Sequence, residues 1–252
     1  MGHLQGKRVV ITRPQQQSAN LLAALASRGA QGLVFPTIAI EAVRGDDLHK
    51  AQQLMRDLVR GVYDTIVFTS VNSVHFLEQH LHDLRTPFES LNSLTVFAIG
   101  AVTASLLAEH GVTCTEAQPS HSTGLLQCMR QTLGDGMQGR SVLLPRARRG
   151  NDDFVTTLER ECARVAVAIL YETVALETGP PLPNDAPIHW LTFTSPSAVR
   201  AFVKRAKVPP GARVACIGPT TADAAQALGL SVDVVPQRPS VDDLVRSMDE
   251  HA

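Results

Sequence analysis

Short runs of β-branched and aromatic residues alternate along this chain with stretches whose apolar positions recur every three or four residues. The runs fall at residues 9–12, 65–68, 95–99, 142–144, 190–193 and 214–217, each bounded by Gly, Pro or Ser, and predict buried strands. Helical spacing appears in Ala19-Leu22-Leu25-Ala26, Ala104-Leu107-Ala108 and Ala222-Ala225-Leu228, and Gly29, Gly111 and Gly229 stand where a left-handed helix stop is expected. Strand and helix therefore alternate, which predicts an α/β fold of parallel sheets flanked by helices. Ligands of such folds bind where strands run out into helix N-termini. Two longer β-rich runs, residues 33–41 and 165–175, lie at matching places in the two halves and are candidates to cross between domains.

The halves are related by an internal duplication. Gly6-Lys7-Arg8-Val9-Val10-Ile11-Thr12-Arg13 is echoed by Gly139-Arg140-Ser141-Val142-Leu143-Leu144-Pro145-Arg146. Ile66-Val67-Phe68-Thr69-Ser70 is echoed by Leu191-Thr192-Phe193-Thr194-Ser195, and Ala98-Ile99-Gly100-Ala101-Val102-Thr103 by Cys216-Ile217-Gly218-Pro219-Thr220-Thr221. One opening unit and two further segments recur in the same order. Spacing alone leaves open whether each domain pairs its segments like with like or exchanges them between halves.

Composition narrows the function classes. Hydrophobic residues are 44% and charged residues 19% of 252, an ordinary globular balance with room for two medium domains. The formal net charge of −1 supplies no global field toward nucleic acid or anionic membrane, so neither is an expected partner and a polyanion must be captured locally. Cys114, Cys128, Cys162 and Cys216 lack zinc-type spacing and read as reduced, buried thiols. The run Val9-Val10-Ile11 is too brief for a signal-peptide core, and the longest apolar stretch is far short of the roughly 20 residues of a membrane helix, so a cytoplasmic protein is expected.

The strand-to-helix turns carry the candidate chemistry. Thr69-Ser70, Gly100 to Thr103, Thr194-Ser195 and Gly218 to Thr221, with Thr220 between, combine small hydroxyl and glycine residues ahead of a helix. They offer free N–H groups, hydroxyls and a positive dipole end suited to carboxylates; taken singly, each Ser or Thr reads as a plain N-cap, and it is their recurrence at four equivalent turns that favours binding. Phosphate-loop, dinucleotide and G-x-S-x-G signatures are missing from the sequence. His75, Glu78 and His82 share one helical face, read as solvated in preference to a metal site. Arg146, Arg148 and Arg149 cluster after a strand, where an isolated basic loop is usually surface; Arg13 at the matching turn strengthens a carboxylate-gripping reading of Arg13 and Arg146. Tyr171, on an inter-unit run, reads by itself as a packed aromatic with a satisfied hydroxyl.

Taken together, Thr12-Arg13-Pro14, the paired Phe68-Thr69-Ser70 and Phe193-Thr194-Ser195, Ile217-Gly218-Pro219-Thr220-Thr221-Ala222 and Leu170-Tyr171-Glu172-Thr173 make the whole chain resemble the uroporphyrinogen-III synthase family. The resemblance implies two similar α/β domains joined by a two-stranded connector, with substrate in a cleft between them. The domains would form by exchange, residues 1–37 with 175–252 and residues 40–172. It implies an enzyme that closes hydroxymethylbilane, a linear octacarboxylate, to uroporphyrinogen III, with loss of water and inversion of ring D through a spiro intermediate. No metal or organic cofactor is implied. A monomer is, and so is room for transient contact with the enzyme that forms the bilane. Carried over to this chain, Ser70, Thr103, Ser195, Thr220 and Thr221 match the family's hydroxyl-bearing cleft positions, flanked by Thr69, Gly100, Thr194 and Gly218. Tyr171 matches the tyrosine held to assist departure of the hydroxyl. Two departures stand out: Glu161-Cys162-Ala163 lacks the glycine stop of Arg28-Gly29-Ala30, and Ala101-Val102 replaces Pro219-Thr220. The rival reading is a non-catalytic two-domain protein that binds a polyanion.

Overall fold

A computed structural model describes residues 2–251, which divide into two compact units, residues 2–40 with 173–251, and Glu41–Glu172. In chain order the strands are β1 (Arg8–Ile11), β2 (Gln31–Val34), β3 (Ile38–Ala42), β4 (Thr65–Phe68), β5 (Thr95–Ile99), β6 (Thr115–Ala117), β7 (Ser141–Ala147), β8 (Arg164–Ala175), β9 (Trp190–Phe193) and β10 (Arg213–Cys216). The α-helices are α1 (Ala19–Ala26), α2 (Gly45–Val59), α3 (Val71–Asp83), α4 (Ala101–Glu109), α5 (Ser122–Leu133), α6 (Asp152–Glu161), α7 (Pro196–Arg205), α8 (Pro219–Ala227) and α9 (Val241–Glu250). None of these helices is long and apolar enough to cross a membrane.

The first unit holds a four-stranded sheet in the order β10-β9-β1-β2, parallel throughout. Its central strands β1 and β9 are buried along their whole length because helices cover both faces, which is why they read as unbroken apolar runs. Period-two alternation divides the side chains between two cores. Val10, Leu191, Phe193, Val214 and Cys216 pack against Val199 and Phe202 of α7 and Ala225 of α8. Val9, Ile11, Trp190 and Ala215 pack against Leu21 and Leu25 of α1 and Leu244 and Met248 of α9.

The second unit carries most of a six-stranded sheet in the order β3-β8-β7-β4-β5-β6, parallel from β8 to β6. The echoed segments occupy matching places: β7 beside β4 beside β5 repeats β1 beside β9 beside β10. The isolated bridge from Ala215 to Val234 stands where β6 pairs with β5 in the second unit. The opening segment of the chain thus shares its sheet with the C-terminal segments, the exchanged pairing and not the like-with-like one.

Helix ends follow the glycine signals. Gly29, Gly111 and Gly229 have φ of +72°, +71° and +79°, and the next residue's N–H reaches back across each turn: Ala30 to Leu25, Val112 to Leu107 and Leu230 to Ala225, at 3.0, 2.9 and 3.0 Å. These are Schellman closures. Where the glycine is lacking, α6 stops at Cys162 in extended geometry and the chain turns directly into β8.

The run at residues 33–41 departs from a single strand. It breaks at Phe35-Pro36-Thr37, between β2 and β3, since Pro36 has no N–H for a ladder. Thr37 is fully buried there, and its hydroxyl donates to the Ala198 carbonyl at 3.1 Å. β2 pairs with β1, whereas β3 lies beside β8 in the other sheet, so β3 and β8 carry the chain between units as a two-stranded connector.

Candidate functional site

Parallel strands deliver all their C-terminal ends to one edge of the second unit's sheet, and there the chain leaves a cavity of about 330 Å³. Three helices begin around it, each capped by a side chain. The Ser73 N–H donates to Ser70 Oγ at 3.2 Å at the start of α3, the Gly124 N–H to His121 Nδ1 at 3.2 Å at α5, and the Phe154 N–H to Asn151 Oδ1 at 3.1 Å at α6. Asn151 Nδ2 also donates to Ser122 Oγ at 3.1 Å, tying the starts of α5 and α6 together. Only glycine fits at position 124, where a Cβ would lie 2.0 Å from the Pro119 carbonyl oxygen. Three helix dipole ends thus surround one concavity, an arrangement suited to anionic groups.

Tyr171 enters the cavity through an irregularity in β8. The strand alternates buried and half-buried residues until Leu170 and Tyr171, which are both buried. A register shift beside Arg146 and Ala147 pairs Ala147 with Tyr171 and skips Leu170, re-aiming the tyrosine as β-bulges do. The Arg148 N–H fixes the end of this bulge by donating to the Tyr171 carbonyl at 2.8 Å. The Tyr171 and Ser70 hydroxyls are 2.7 Å apart, and the Tyr171 ring stacks on Phe76 of α3 with centroids 5.0 Å apart and planes 12° from parallel. Burial pushes the phenol above its ordinary 10.0, against weaker downward pulls from the Ser70 hydrogen bond and the Arg146 charge. It therefore stays protonated, a donor, at neutral pH.

Of the sequence-predicted residues, Thr69, Ser70, Arg146 and Tyr171 line this cavity. Arg146, its side chain 9% exposed, is already engaged: Nη2 donates to Asp152 Oδ1 at 2.9 Å and Nε to the Ala147 carbonyl at 3.2 Å. Arg148 pairs with Glu172 and Asp47, which leaves Arg149, exposed at the rim, as the cation of the cluster without an ion-pair partner among the described residues. Gly100 and Thr103 do not line the cavity; Thr103 is buried one turn into α4. Glu78 faces His110 at 3.3 Å instead of joining His75 and His82.

The remaining predicted residues belong to the corresponding edge of the first unit. Ser195 caps α7, accepting from the Ala198 N–H at 3.2 Å, and Thr194 is half-buried beside it. Gly218 caps α8, Thr220 is exposed and Thr221 buried. Arg13 is half-buried, and burial lowers its guanidinium from its ordinary value.

Residues 19–246 match the model of the uroporphyrinogen-III synthase HemD family. The chain belongs to this family. Among its relatives, the uroporphyrinogen-III synthase of Chlorobaculum parvum is 29% identical over 245 residues, covering 92% of this chain and 93% of that one. The chloroplastic uroporphyrinogen-III synthase of Oryza sativa is 28% identical over 253 residues, covering 95% and 79%. A solved mutant uroporphyrinogen III synthase of Thermus thermophilus superposes with a TM-score of 0.61 at 20% identity, covering 98% of each chain. The uroporphyrinogen-III synthetase of Helicobacter pylori gives 0.62 at 17%, covering 96% and 97%. At such identities the two structures establish the two-domain α/β fold. Family membership makes the chain a cyclising lyase of porphyrin synthesis, acting on a small molecule.

Sequence reasoning passed over several residues of this synthase-family cavity. His121, Ser122 and Asn151 were legible in principle, because Asn151 precedes Asp152-Asp153 and an apolar helix face, and Ser122-Thr123 opens another. Phe76 had no signal, since its role rests on meeting Tyr171 from a strand about a hundred residues away, at an offset set by the bulge.

Proposed function

We propose that this chain closes hydroxymethylbilane to uroporphyrinogen III with inversion of ring D, without a cofactor, as a cytoplasmic monomer that receives the bilane from the enzyme that forms it. The observation that carries this reading is the Tyr171 hydroxyl, protonated and 2.7 Å from Ser70, inside a cavity ringed by three capped helix starts. An octacarboxylate needs many separate anion contacts, each worth about 0.3–1 kcal/mol at a helix start, and a chain of net charge −1 must supply them locally. Thr69, with Arg149 at the rim, takes substrate carboxylates in the second unit, and Ser70 faces the substrate beside Tyr171. Arg13, Thr194, Ser195, Gly218, Thr220 and Thr221 take others in the first, with Gly100 and Thr103 as further support. Arg146 holds the loop through Asp152 and keeps positive charge near the Tyr171 oxygen.

The chemistry asks mainly for positioning. The hydroxymethyl carbon loses its hydroxyl as water, with the pyrrole nitrogen supplying electrons and an azafulvene cation forming. That cation is attacked to give the spiro intermediate, whose rearrangement inverts ring D. Tyr171 donates to the departing hydroxyl. A phenol with raised pKa is a weak acid and the nitrogen already drives departure, so Tyr171 assists without being essential. The test is to generate the bilane in situ, add the protein alone, oxidise the products and separate type I from type III isomers. Predominant type III supports the reading; type I alone, with the bilane bound, would replace it with a polyanion-binding protein.

A further inference from the structure

The hydroxyls of Ser70 and Tyr171 hold two hydrogens between them. At 2.7 Å one of these joins the pair, and either oxygen can be its donor. Ser70 Oγ also accepts from the Ser73 N–H at 3.2 Å, so it uses acceptor capacity and not its hydrogen to cap α3. Whichever way the pair is oriented, the second hydrogen has no acceptor among the described residues, and both side chains line the cavity. If Ser70 donates to Tyr171, the phenol hydrogen is free; if Tyr171 donates to Ser70, the serine hydrogen is free.

We infer that Ser70 and Tyr171 act as one donor with two faces, so that Ser70 is a catalytic residue able to replace the phenol. This rests on the cyclase reading above. The free hydrogen bonds to, and moves toward, the departing hydroxyl as its C–O bond breaks, water leaves, and the pyrrole nitrogen lone pair forms the azafulvene. The proton lost later, when the pyrrole regains aromaticity after ring closure, returns to the pair, so no proton is consumed overall. Rotation of two hydroxyls switches the donor without moving either side chain, because α3 holds both: Ser70 is its cap and Phe76 stacks on the tyrosine ring.

The test is a double-mutant cycle on the full chain with Tyr171→Phe, Ser70→Gly and the pair, measuring kcat, KM and type III fraction on bilane made in situ. Glycine is chosen because it serves as an N-cap at little cost, so α3 persists without the hydroxyl; thermal midpoints check this. A shared donor predicts a loss in kcat of about tenfold for each single variant and about a thousandfold for the double, the scale of general acid catalysis, with KM little changed. The loss in the double then exceeds the product of the singles. A double variant at or below that product overturns the shared donor, leaving independent or strictly serial roles. Wild-type protein that yields no type III product refutes the cyclase reading itself, so the two failures are distinguishable.

Discussion

Phe76 does not itself line the cavity, yet its replacement by Leu is expected to slow catalysis. Its ring lies on Tyr171 with centroids 5.0 Å apart and planes 12° from parallel, and it is absent from the cavity lining. Such aromatic pairs contribute about 0.5–1.5 kcal/mol beyond their buried area. If that energy is what holds the phenol toward Ser70, its loss raises the barrier by the same amount, which at about 1.36 kcal/mol per decade lowers kcat by about two- to tenfold. Carboxylate contacts are untouched, so KM stays within about twofold on the same footing. Phe76→Tyr keeps the stack and restores kcat. Steady-state kinetics on freshly generated bilane reads both constants. An unchanged kcat in Phe76→Leu, or a loss carried by KM with kcat intact, would refute the reasoning that α3 orients Tyr171 through this ring.

Other outcomes follow from equivalent positions that differ in geometry. Gly100 caps α4 with φ of +82° and Gly218 caps α8 with φ of −171°, so Gly100→Ala costs about 2 kcal/mol in thermal or urea unfolding whereas Gly218→Ala, in an ordinary extended conformation, costs little. Asn151→Ala removes both the α6 cap and the tether to Ser122, lowering stability by about 1 kcal/mol and raising KM for the bilane; unchanged values in both assays would count against the tether. Burial pushes the Cys216 thiol to about 12 and Cys162, with help from Glu161 and Asp64, to about 11, so in the native protein at pH 8 a thiol reagent labels Cys114 and Cys128 well ahead of those two. Rapid labelling of Cys216 would contradict its full burial.

Local signals carried most of the fold. Fully buried strands such as β4 and β9 read as plain apolar runs, and Gly29, Gly111 and Gly229 mark helix ends because only the left-handed turn needs them. Exchange of segments between halves was not readable from spacing, since β1 could pair as well with a near or a distant edge; the observed pairing of Val9 with Trp190 is a tertiary choice. At the site, the hydroxyl turns pointed to Thr69 and Ser70 because a cap is a local device, written within three residues of its helix. Arg146 was legible as a cation but not as one committed to Asp152, and Tyr171 as an aromatic but not as one turned by a bulge. Both depend on register between β7 and β8, which no single stretch of sequence records.

The most direct test of the account is the isomer ratio of the cyclised product at increasing concentrations of wild-type protein, with bilane supplied at a fixed rate and no cofactor added. Spontaneous closure gives type I, so an inverting enzyme predicts a type III fraction that climbs from zero toward completion as the protein outpaces that background. A ratio that stays at type I at every concentration, while the bilane is demonstrably bound, would contradict the claim that this cavity turns its substrate over.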